Sequence, residues 1–449
     1  MNTLERDIRQ IILDNQKLIT KTTFLPRELV IERLPRKATI ITGIRRSGKS
    51  IYQTLYMQSL LEQGVPQENL CILDLADDRL FMLRTEEPAI IADVYYGTFP
   101  EKTGEKVYFF FDEIQYLHHW EQFVNRIQTT RNCEISITGS SAKLLIKEIA
   151  TEFGGRSLSW ELFPFSFAEF ITTKQHIRKL PLAIKMSGDD GKFCRQWFDE
   201  YVKIGGFPES HFIADDRTRV RFLQNIAETV VFRDVIQRYN LSNPNDIWRL
   251  MQLLLNQMGD LTSFTKLKQR MASEQYRISI EMVRLATGYF EDAYLLYVIE
   301  IFSMNAAVRS TNPKKIYCAD HALAMSVAEK LTPDHGKILE NIVFIHLRHT
   351  TDRIYYAKTP TGKEVDFVTI PAGRAITEQT TVKLWQVGYE MTDNSTLERE
   401  ISALMEAMHV YRVSDACIIT YNTEQTISGE GLTIQVTPVW KFLLTKAEV

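Results

Sequence analysis

Residues 43–50 read GIRRSGKS, and this stretch decides the fold because it matches the pattern G-x-x-x-x-G-K-[ST] at every fixed position. Glycines let backbone N–H groups turn inward around a phosphate, and a helix that follows presents its positive end to the same anion. In such a loop, Lys49 reaches the β- and γ-phosphates of a nucleotide and the Ser50 hydroxyl ligates Mg²⁺. The predicted nucleotide-binding residues are Gly43, Arg45, Arg46, Ser47, Gly48, Lys49, Ser50 and Ile51. The alternative is a glycine-containing turn beside a basic surface. An apolar run that ends at Thr42 and a helical pattern from Lys49 favour the phosphate-binding loop instead.

Short apolar runs alternate with helical stretches around this loop. The runs are nearly continuous in apolar residues, as is typical of strands covered on both faces by helices. They are ATIIT at 38–42, LCILDL at 70–75, VYFFFD at 107–112 and EISITG at 134–139, and SLSWELFPF follows at 157–165. Helical stretches between strands predict βαβ units and a parallel sheet, so the fold class is α/β with a P-loop ATPase core.

The run VYFFFDE at 107–113 ends in two carboxylates about 60 residues after the loop. In a P-loop ATPase the first of them, Asp112, holds Mg²⁺, and the second, Glu113, acts as general base on the attacking water. An acidic helix cap after a buried strand is the alternative for this pattern. Its position after a P-loop favours the catalytic interpretation.

Two further features are candidates for the γ-phosphate. The run ITGSS at 137–141 would bring Ser140 or Ser141 near the phosphate if its strand lies beside the Asp112 strand, although serines also cap strand-to-helix turns. A cation in the transition state can come from an arginine in cis or in trans. Candidates are Arg156 in the GGR segment and Arg233 in FRD, with surface ion pairing as the alternative for each. The predicted catalytic residues are Glu113, Lys49, Ser141 and Arg156.

The overall composition narrows the class of protein. Net charge is −3, with 45% hydrophobic and 24% charged residues, so no strong overall field draws the chain to nucleic acid or membranes. Five scattered cysteines without a C-x-x-C pair argue against structural zinc and disulfides. The N-terminus lacks a signal-peptide pattern, and no run of about 18 apolar residues occurs. We therefore expect a cytoplasmic protein without a membrane partner.

The order of the motifs resembles a known family. GIRRSGKS, FFFDE, TGSS, GGR and ELFPFSFAEF are followed by IGGFPE, FRDVI, KIYCAD and GKEVDFV. Together they resemble the prokaryotic AAA-type ATPases that carry a C-terminal domain of uncharacterised function, and the resemblance covers most of the chain. It implies ATP binding, an embedded winged helix and a terminal restriction-endonuclease-like fold.

We predict five segments on this basis. They are an N-terminal helix and connector (1–36), the P-loop ATPase core (37–170), a helical lid (171–245), a winged helix (246–310) and a restriction-endonuclease-like domain (311–449). Within the winged helix, five basic side chains could face phosphates, diluted by nearby acids. They are Lys266, Lys268, Arg270, Arg277 and Arg284.

The tail carries Glu340 on a helix, Glu364 and Asp366 on a strand, and Gln386 on the next strand. Carboxylates on adjacent strands of a restriction-type fold would bind Mg²⁺ and activate water, with a lysine beside the nucleophile. A working site would have E-x-K where this chain has QVG at 386–388. We therefore expect a degenerate domain used for docking rather than an active nuclease.

The favoured function is an ATP-dependent switch or motor that acts on or near DNA or RNA, for instance in mobile-element or phage conflict. One alternative is an ATP-gated scaffold or signalling switch that contacts only proteins. The other is an ATP-dependent Mg²⁺ nuclease that uses the tail. An arginine acting in trans would require a dimer or ring.

Overall fold

In a computed structural model that describes residues 3–19, 24–139, 155–178, 190–329, 334–371, 380–389, 394–429 and 431–445, the chain forms two units. Unit 1 comprises Met1–Phe163 and Asp292–Tyr294, and unit 2 comprises Pro164–Glu291 and Leu295–Val449. Among these described residues, no helix is both long and apolar enough to cross a membrane.

Unit 1 contains the predicted parallel sheet. Its strands are β1 (Ala38–Thr42), β2 (Leu70–Asp74), β3 (Val107–Asp112), β4 (Cys133–Thr138) and β5 (Ser157–Glu161). They are ordered β2-β3-β4-β1-β5, and all neighbours are parallel. The four predicted strand runs are confirmed, and the first five residues of the apolar stretch at 157–165 form β5. β4 lies between the P-loop strand β1 and the Asp112 strand β3.

Helices cover both faces of this sheet. They are α1 (Thr3–Leu18), α2 (Lys49–Glu62), α3 (Ala89–Thr98) and α4 (Trp120–Thr130), with short 3-10 turns at Gln67–Asn69, Asp78–Arg84, Pro100–Gly104 and Ile114–Tyr116. Phe109 and Phe111 point into a core shared with α1, α3 and α4, whereas Phe110 points to the opposite face and packs with α2. Because successive strand residues alternate between faces, burial on both sides requires the continuous apolar runs seen in the sequence.

The first half of unit 2 is helical. It contains α5 (Phe167–Arg178), α6 (Asp190–Ile204), α7 (Asp216–Thr229), α8 (Pro244–Asn256), α9 (Phe264–Ser273) and α10 (Ile280–Asp292). A 3-10 turn (Pro208–Phe212) precedes α7, and a π-helix (Val230–Gln237) follows it. After α10, β6 (Leu296–Ile299) pairs antiparallel with β7 (Lys315–Cys318), with α11 (Ala306–Thr311) between them.

The second half of unit 2 contains a mixed sheet of six strands in the order β12-β13-β11-β10-β9-β8. The strands are β8 (Ile354–Lys358), β9 (Glu364–Thr369), β10 (Lys383–Gly388), β11 (Asp415–Thr420), β12 (Gln425–Gly429) and β13 (Leu432–Pro438). The remaining helices are α12 (His321–Val327), α13 (His335–Arg348), α14 (Asn394–Tyr411) and α15 (Val439–Phe442). Phe367 packs with α13 on one face, and its neighbour Val368 packs with α14 on the other.

Candidate nucleotide-binding site

The loop at residues 43–50 connects β1 directly to α2. Gly43 has φ +134°, and a Cβ atom there would lie 2.3 Å from the Leu162 carbonyl oxygen, so only glycine fits. Gly48 has φ 97° and forms the N-cap of α2, which begins at Lys49. The loop therefore places the positive end of α2 at the carboxyl edge of the sheet, as the motif predicts.

Lys49 is folded back onto the loop. Its side chain is buried, and Nζ donates to the carbonyl oxygens of Gly43 at 3.0 Å and Ile44 at 3.1 Å. These acceptors are neutral, so a phosphate oxygen would compete with them effectively for the ammonium. Ser50, in contrast, lies exposed in the first turn of α2.

The two predicted carboxylates follow β3 at the same edge of the sheet. The Thr138 hydroxyl, at the end of β4, donates to Oδ1 of Asp112 and accepts from the Glu113 backbone N–H at 3.3 Å. β4 thus supplies a buried hydroxyl that orients the Asp112 carboxylate. This contact depends on β4 lying between β1 and β3.

Glu113 lies next to the P-loop. Its Oε1 is 3.9 Å from Nη1 of Arg45, and its Oε2 accepts from Nε2 of Gln115. Both charged side chains of the ion pair are about four-fifths buried, with 18% exposure each. The structure therefore brings the candidate general base and the phosphate-binding loop together, and it adds Gln115, which the sequence did not single out.

Asp74 is a second residue at this edge that the sequence did not single out. It ends β2 and is directly opposite Asp112 in the strand register. Burial raises the pKa of the Asp74 carboxyl above its ordinary value, the Ala76 N–H bond opposes this, and the charges of Asp112 and Glu113 raise it further. Asp74 therefore belongs to the same acidic edge. The aspartate near the end of the apolar run LCILDL was the sequence signal that could have identified it.

The residues at this edge suit a magnesium ion that arrives with a nucleotide. Such an ion takes one or two protein ligands, and water and phosphate oxygens complete its shell. The Ser50 hydroxyl and the Asp112 carboxylate match that requirement. The part of the chain that the structure describes contains no group of three or more His, Cys, Asp or Glu that could hold a metal by itself.

Arg156 does not join this cluster. Arg156 lies at the start of β5, where its carbonyl accepts from the Ala38 N–H at 2.9 Å and its Nη1 donates to Asn125 at 2.7 Å. This is the amino end of β1, roughly 16 Å from the P-loop for a five-residue strand. Within unit 1, Arg156 therefore lies away from the P-loop, and its role, in cis or in trans, stays a prediction. Arg233 lies exposed on the π-helix of unit 2, and Ser140 and Ser141 lie outside the described residues.

A distant residue also touches the P-loop strand within unit 1. The hydroxyl of Tyr294 donates to Oγ1 of Thr42 at 2.8 Å, across 252 positions of sequence. Thr42 is the last residue of β1 and immediately precedes Gly43. Nothing in the local sequence around Tyr294 signals this contact.

The predicted acids of the tail form a second cluster, in unit 2. Nζ of Lys315, on β7, lies 2.9 Å from Glu340, 2.6 Å from Glu364 and 2.9 Å from Asp366. The Lys315 side chain has no solvent exposure. Tyr317 donates to the same Glu340 oxygen at 2.7 Å. The acids therefore surround an ammonium group that the sequence analysis did not identify.

The strand with QVG closes this cluster from the other side. Gln386 accepts from the Asp366 N–H at 3.2 Å and donates to Glu400 at 2.6 Å, and the Val387 N–H donates to Asp366 at 2.9 Å. Gln386 is thus engaged in protein hydrogen bonds.

The charges in the cluster perturb one another. Burial raises the pKa of Asp366 to about 6, although Lys315 opposes the shift. Burial acts in the same direction on Glu340, but Lys315 and Lys337 outweigh it and lower the pKa of that carboxyl. For Lys315 itself, burial disfavours the charge, but Asp366 and Glu340 outweigh it and raise the pKa well above the ordinary value. The ammonium is therefore strongly held.

Two protein-family models match parts of the chain. Residues 35–171 match a family described as an AAA domain, and residues 195–334 match a domain of unknown function. The first match covers the whole parallel sheet and the P-loop.

Similar proteins extend over more of the chain. An uncharacterized protein of Methanocaldococcus jannaschii is 29% identical over 97% of this chain and 95% of its own length. An uncharacterized protein of Haemophilus influenzae is 28% identical over 79% of this chain and 84% of its own. Among solved structures, the Walker-type ATPase of Pyrococcus abyssi is similar over 72% of this chain and 94% of its own, with 15% identity and a TM-score of 0.42. The match at residues 35–171, together with the five-stranded parallel sheet, supports an AAA-type P-loop ATPase in this part of the chain.

Proposed function

We propose that this chain binds and hydrolyses ATP as an AAA-type switch or motor. The observation that carries the proposal is the contact between Arg45 of the P-loop and Glu113 after β3, at 3.9 Å. It supports the proposal because Glu113, the candidate general base, lies beside a loop whose backbone suits a triphosphate, at the carboxyl edge of a parallel sheet. Ligands of open α/β sheets bind at that edge.

Each residue then has a defined task. Lys49 exchanges the carbonyl oxygens of the loop for the β- and γ-phosphates, and Glu113 accepts a proton from the attacking water. Ser50 and Asp112 would hold a magnesium ion that arrives with the nucleotide, and the ion would neutralise charge on the phosphates. Arg156 would supply the cation at the γ-phosphate of another copy of the chain, since its side chain is exposed.

The proposal is tested by phosphate release from ATP as Mg²⁺ is titrated. The wild-type protein is expected to turn over ATP with saturation, and Asp112→Asn should need much more Mg²⁺ for half-maximal rate. Asp93→Asn, an exposed aspartate on α3, is the matched control and should behave like the wild type. A folded wild-type protein with no saturable uptake or turnover of any nucleoside triphosphate would contradict the proposal.

The exposed cations of α9 and α10 favour action on nucleic acid over a switch that contacts only proteins. All five predicted basic side chains of this region face solvent, although Arg270 pairs with Glu274 at 3.3 Å. Phosphate contacts of this kind make binding fall steeply with salt. ATPase stimulation by DNA or RNA that disappears at high salt supports this function, and its absence at low salt favours the protein-only switch.

We propose further that the acid cluster of the tail is structural and not a nuclease centre. Lys315 neutralises the carboxylates that a metal would need, and Gln386 is bonded to Glu400. Plasmid DNA incubated with the protein, ATP and Mg²⁺ or Mn²⁺ should stay intact. Cleavage by the wild type that is abolished in Asp366→Ala would overturn this interpretation.

A further inference from the structure

Arg27 lies in the segment without helix or strand that precedes β1, and its guanidinium joins two parts of the candidate nucleotide site. Nη1 donates to the Ser47 carbonyl oxygen in the P-loop at 2.9 Å, and Nη2 donates to the Phe163 carbonyl oxygen, beyond β5, at 2.7 Å. The planar fork of an arginine can hold two acceptors in fixed directions, which a lysine cannot. Arg27 is therefore placed to fix the orientation of a P-loop peptide group.

The peptide group in question joins Ser47 to Gly48. In a planar trans peptide the C=O and the next N–H point in opposite directions. Because the Ser47 oxygen points toward Arg27, the Gly48 N–H points away from Arg27. Gly48 is the N-cap of α2, and N–H groups at a helix N-terminus bind anions. A charged donor on the carbonyl also polarises the peptide and strengthens its N–H as a donor.

Further hydrogen bonds hold the segment that contains Arg27 and the segment that contains Phe163. The Tyr52 hydroxyl, in the first turns of α2, donates to the Leu29 carbonyl at 2.8 Å, two residues after Arg27. The Leu162 N–H donates to the Thr42 carbonyl at 2.8 Å, next to Phe163. Arg27 thus connects two segments that are each hydrogen-bonded to the P-loop strand or its helix.

We propose that Arg27 is a positioning residue that holds the Gly48 amide ready for the β-phosphate of a bound nucleotide. The inference rests on the proposed function and extends it to a residue outside the P-loop motif. It implies that Arg27 contributes to the affinity for any ligand with a β-phosphate, and that it contributes little to the chemical step.

The test compares Arg27→Gln and Arg27→Lys with Lys37→Gln. Lys37 is the matched control because it lies in the same segment and also donates to a carbonyl, that of Gly155 at 2.8 Å. Calorimetry gives the Kd for Mg-ADP, and for Mg-ATP in a Glu113→Gln background that slows turnover. Inorganic pyrophosphate as a competitor reports the phosphate site without base or ribose.

In Arg27→Gln the Gly48 N–H should lose its hydrogen bond to the charged β-phosphate. This loss should weaken the binding of ADP, ATP and pyrophosphate about tenfold each. Arg27→Lys should be intermediate and Lys37→Gln unchanged. KM for ATP should rise by a similar factor, with kcat within about twofold of the wild type, a split that a general loss of folding would not produce.

Several results would overturn the inference. A loss confined to ATP would indicate a γ-phosphate contact, and an unchanged pyrophosphate constant would indicate a contact to base or ribose. If Arg27→Gln does not fold, Arg27→Lys with wild-type affinity for ADP decides against the proposal. A wild-type protein that binds no nucleotide refutes the proposed function itself, whereas wild-type binding that Arg27→Gln leaves unchanged refutes only this inference.

Discussion

Replacing Lys315 by methionine tests whether the tail cluster is structural. The substitution keeps the length of the side chain but removes the ammonium that lies within 3 Å of Glu340, Glu364 and Asp366. Two of these carboxylates, Glu340 and Asp366, have side chains that are 6% and 10% exposed, so water cannot replace the lost cation. Breaking a buried pair by removing one partner costs about 3–5 kcal/mol. For a unit of this size that corresponds to a fall in Tm of roughly 10 °C.

The loss should depend on pH. Without Lys315, Glu340 and Asp366 repel each other in an apolar surrounding and their pKa values rise, with Lys337 as the neighbouring cation. Carboxyls with raised folded-state pKa values bind more protons in the folded state, so stability falls as pH rises through those values. In the wild type, the pKa of Asp366 is raised to about 6, so its effect on stability is complete just above that pH. The pKa of Glu340 is lowered, so this carboxyl affects the pH dependence only below its ordinary pKa. The Tm difference between variant and wild type should therefore be larger at pH 8 than at pH 5.

Scanning calorimetry can assign the loss to unit 2. ADP stabilises the unit that binds it, so the transition that does not move with ADP reports the other unit. Lys314→Met is the matched control, because Lys314 pairs at 2.9 Å with Glu300, whose side chain is 38% exposed and can be solvated. A Lys315→Met protein that melts like Lys314→Met, or whose deficit is the same at both pH values, would refute the reasoning.

Three further predictions concern unit 1. Lys49→Ala should weaken ATP binding by about 10- to 100-fold, the value of a charge-assisted bond to phosphate, as measured by calorimetry; wild-type affinity would contradict the assigned role. Glu113→Gln should bind ATP within about threefold of the wild type but hydrolyse it at least about 100-fold more slowly, and normal phosphate release would show that the base is another residue. Gly43→Ala should abolish ATP binding and lower Tm, because its Cβ would meet the Leu162 oxygen at 2.3 Å. Gly64→Ala shares the positive φ but meets no atom within 4 Å, so an equal loss of ATP binding there would exclude the steric explanation.

The parallel sheet was predictable because its information is local. The strands β1 to β4 are largely buried on both faces, and such burial requires a continuous apolar run in the sequence, as in the three phenylalanines that end at Phe111. The P-loop was predictable for a similar reason, since positive φ at Gly43 and Gly48 and a helix start at Lys49 leave little freedom of residue type.

The supporting contacts were not predictable because they depend on which segments become neighbours. Thr138 orients Asp112 because β4 lies between β1 and β3 in the sheet. The apolar run of a strand carries no information on the order of strands in the sheet. Lys315 begins a four-residue strand that was not predicted, and its acids come from positions 25 to 51 residues later. Arg27 reaches carbonyl groups, which every residue has, so no motif marks its partners.

Lys49 and Lys315 are both buried, and the acceptors that the structure describes around them differ in charge. Lys49 donates to the neutral carbonyl groups of Gly43 and Ile44, which a phosphate can displace because an anion binds an ammonium more strongly than a carbonyl does. Lys315 is held by three carboxylates, and an incoming anion would have to compete with charges already in place. An anionic ligand should therefore enter at Lys49 and not at Lys315. We therefore expect ADP to protect unit 1 from thermal unfolding, and we expect neither pyrophosphate nor phosphate to shift the thermal unfolding of unit 2, which contains the Lys315 cluster.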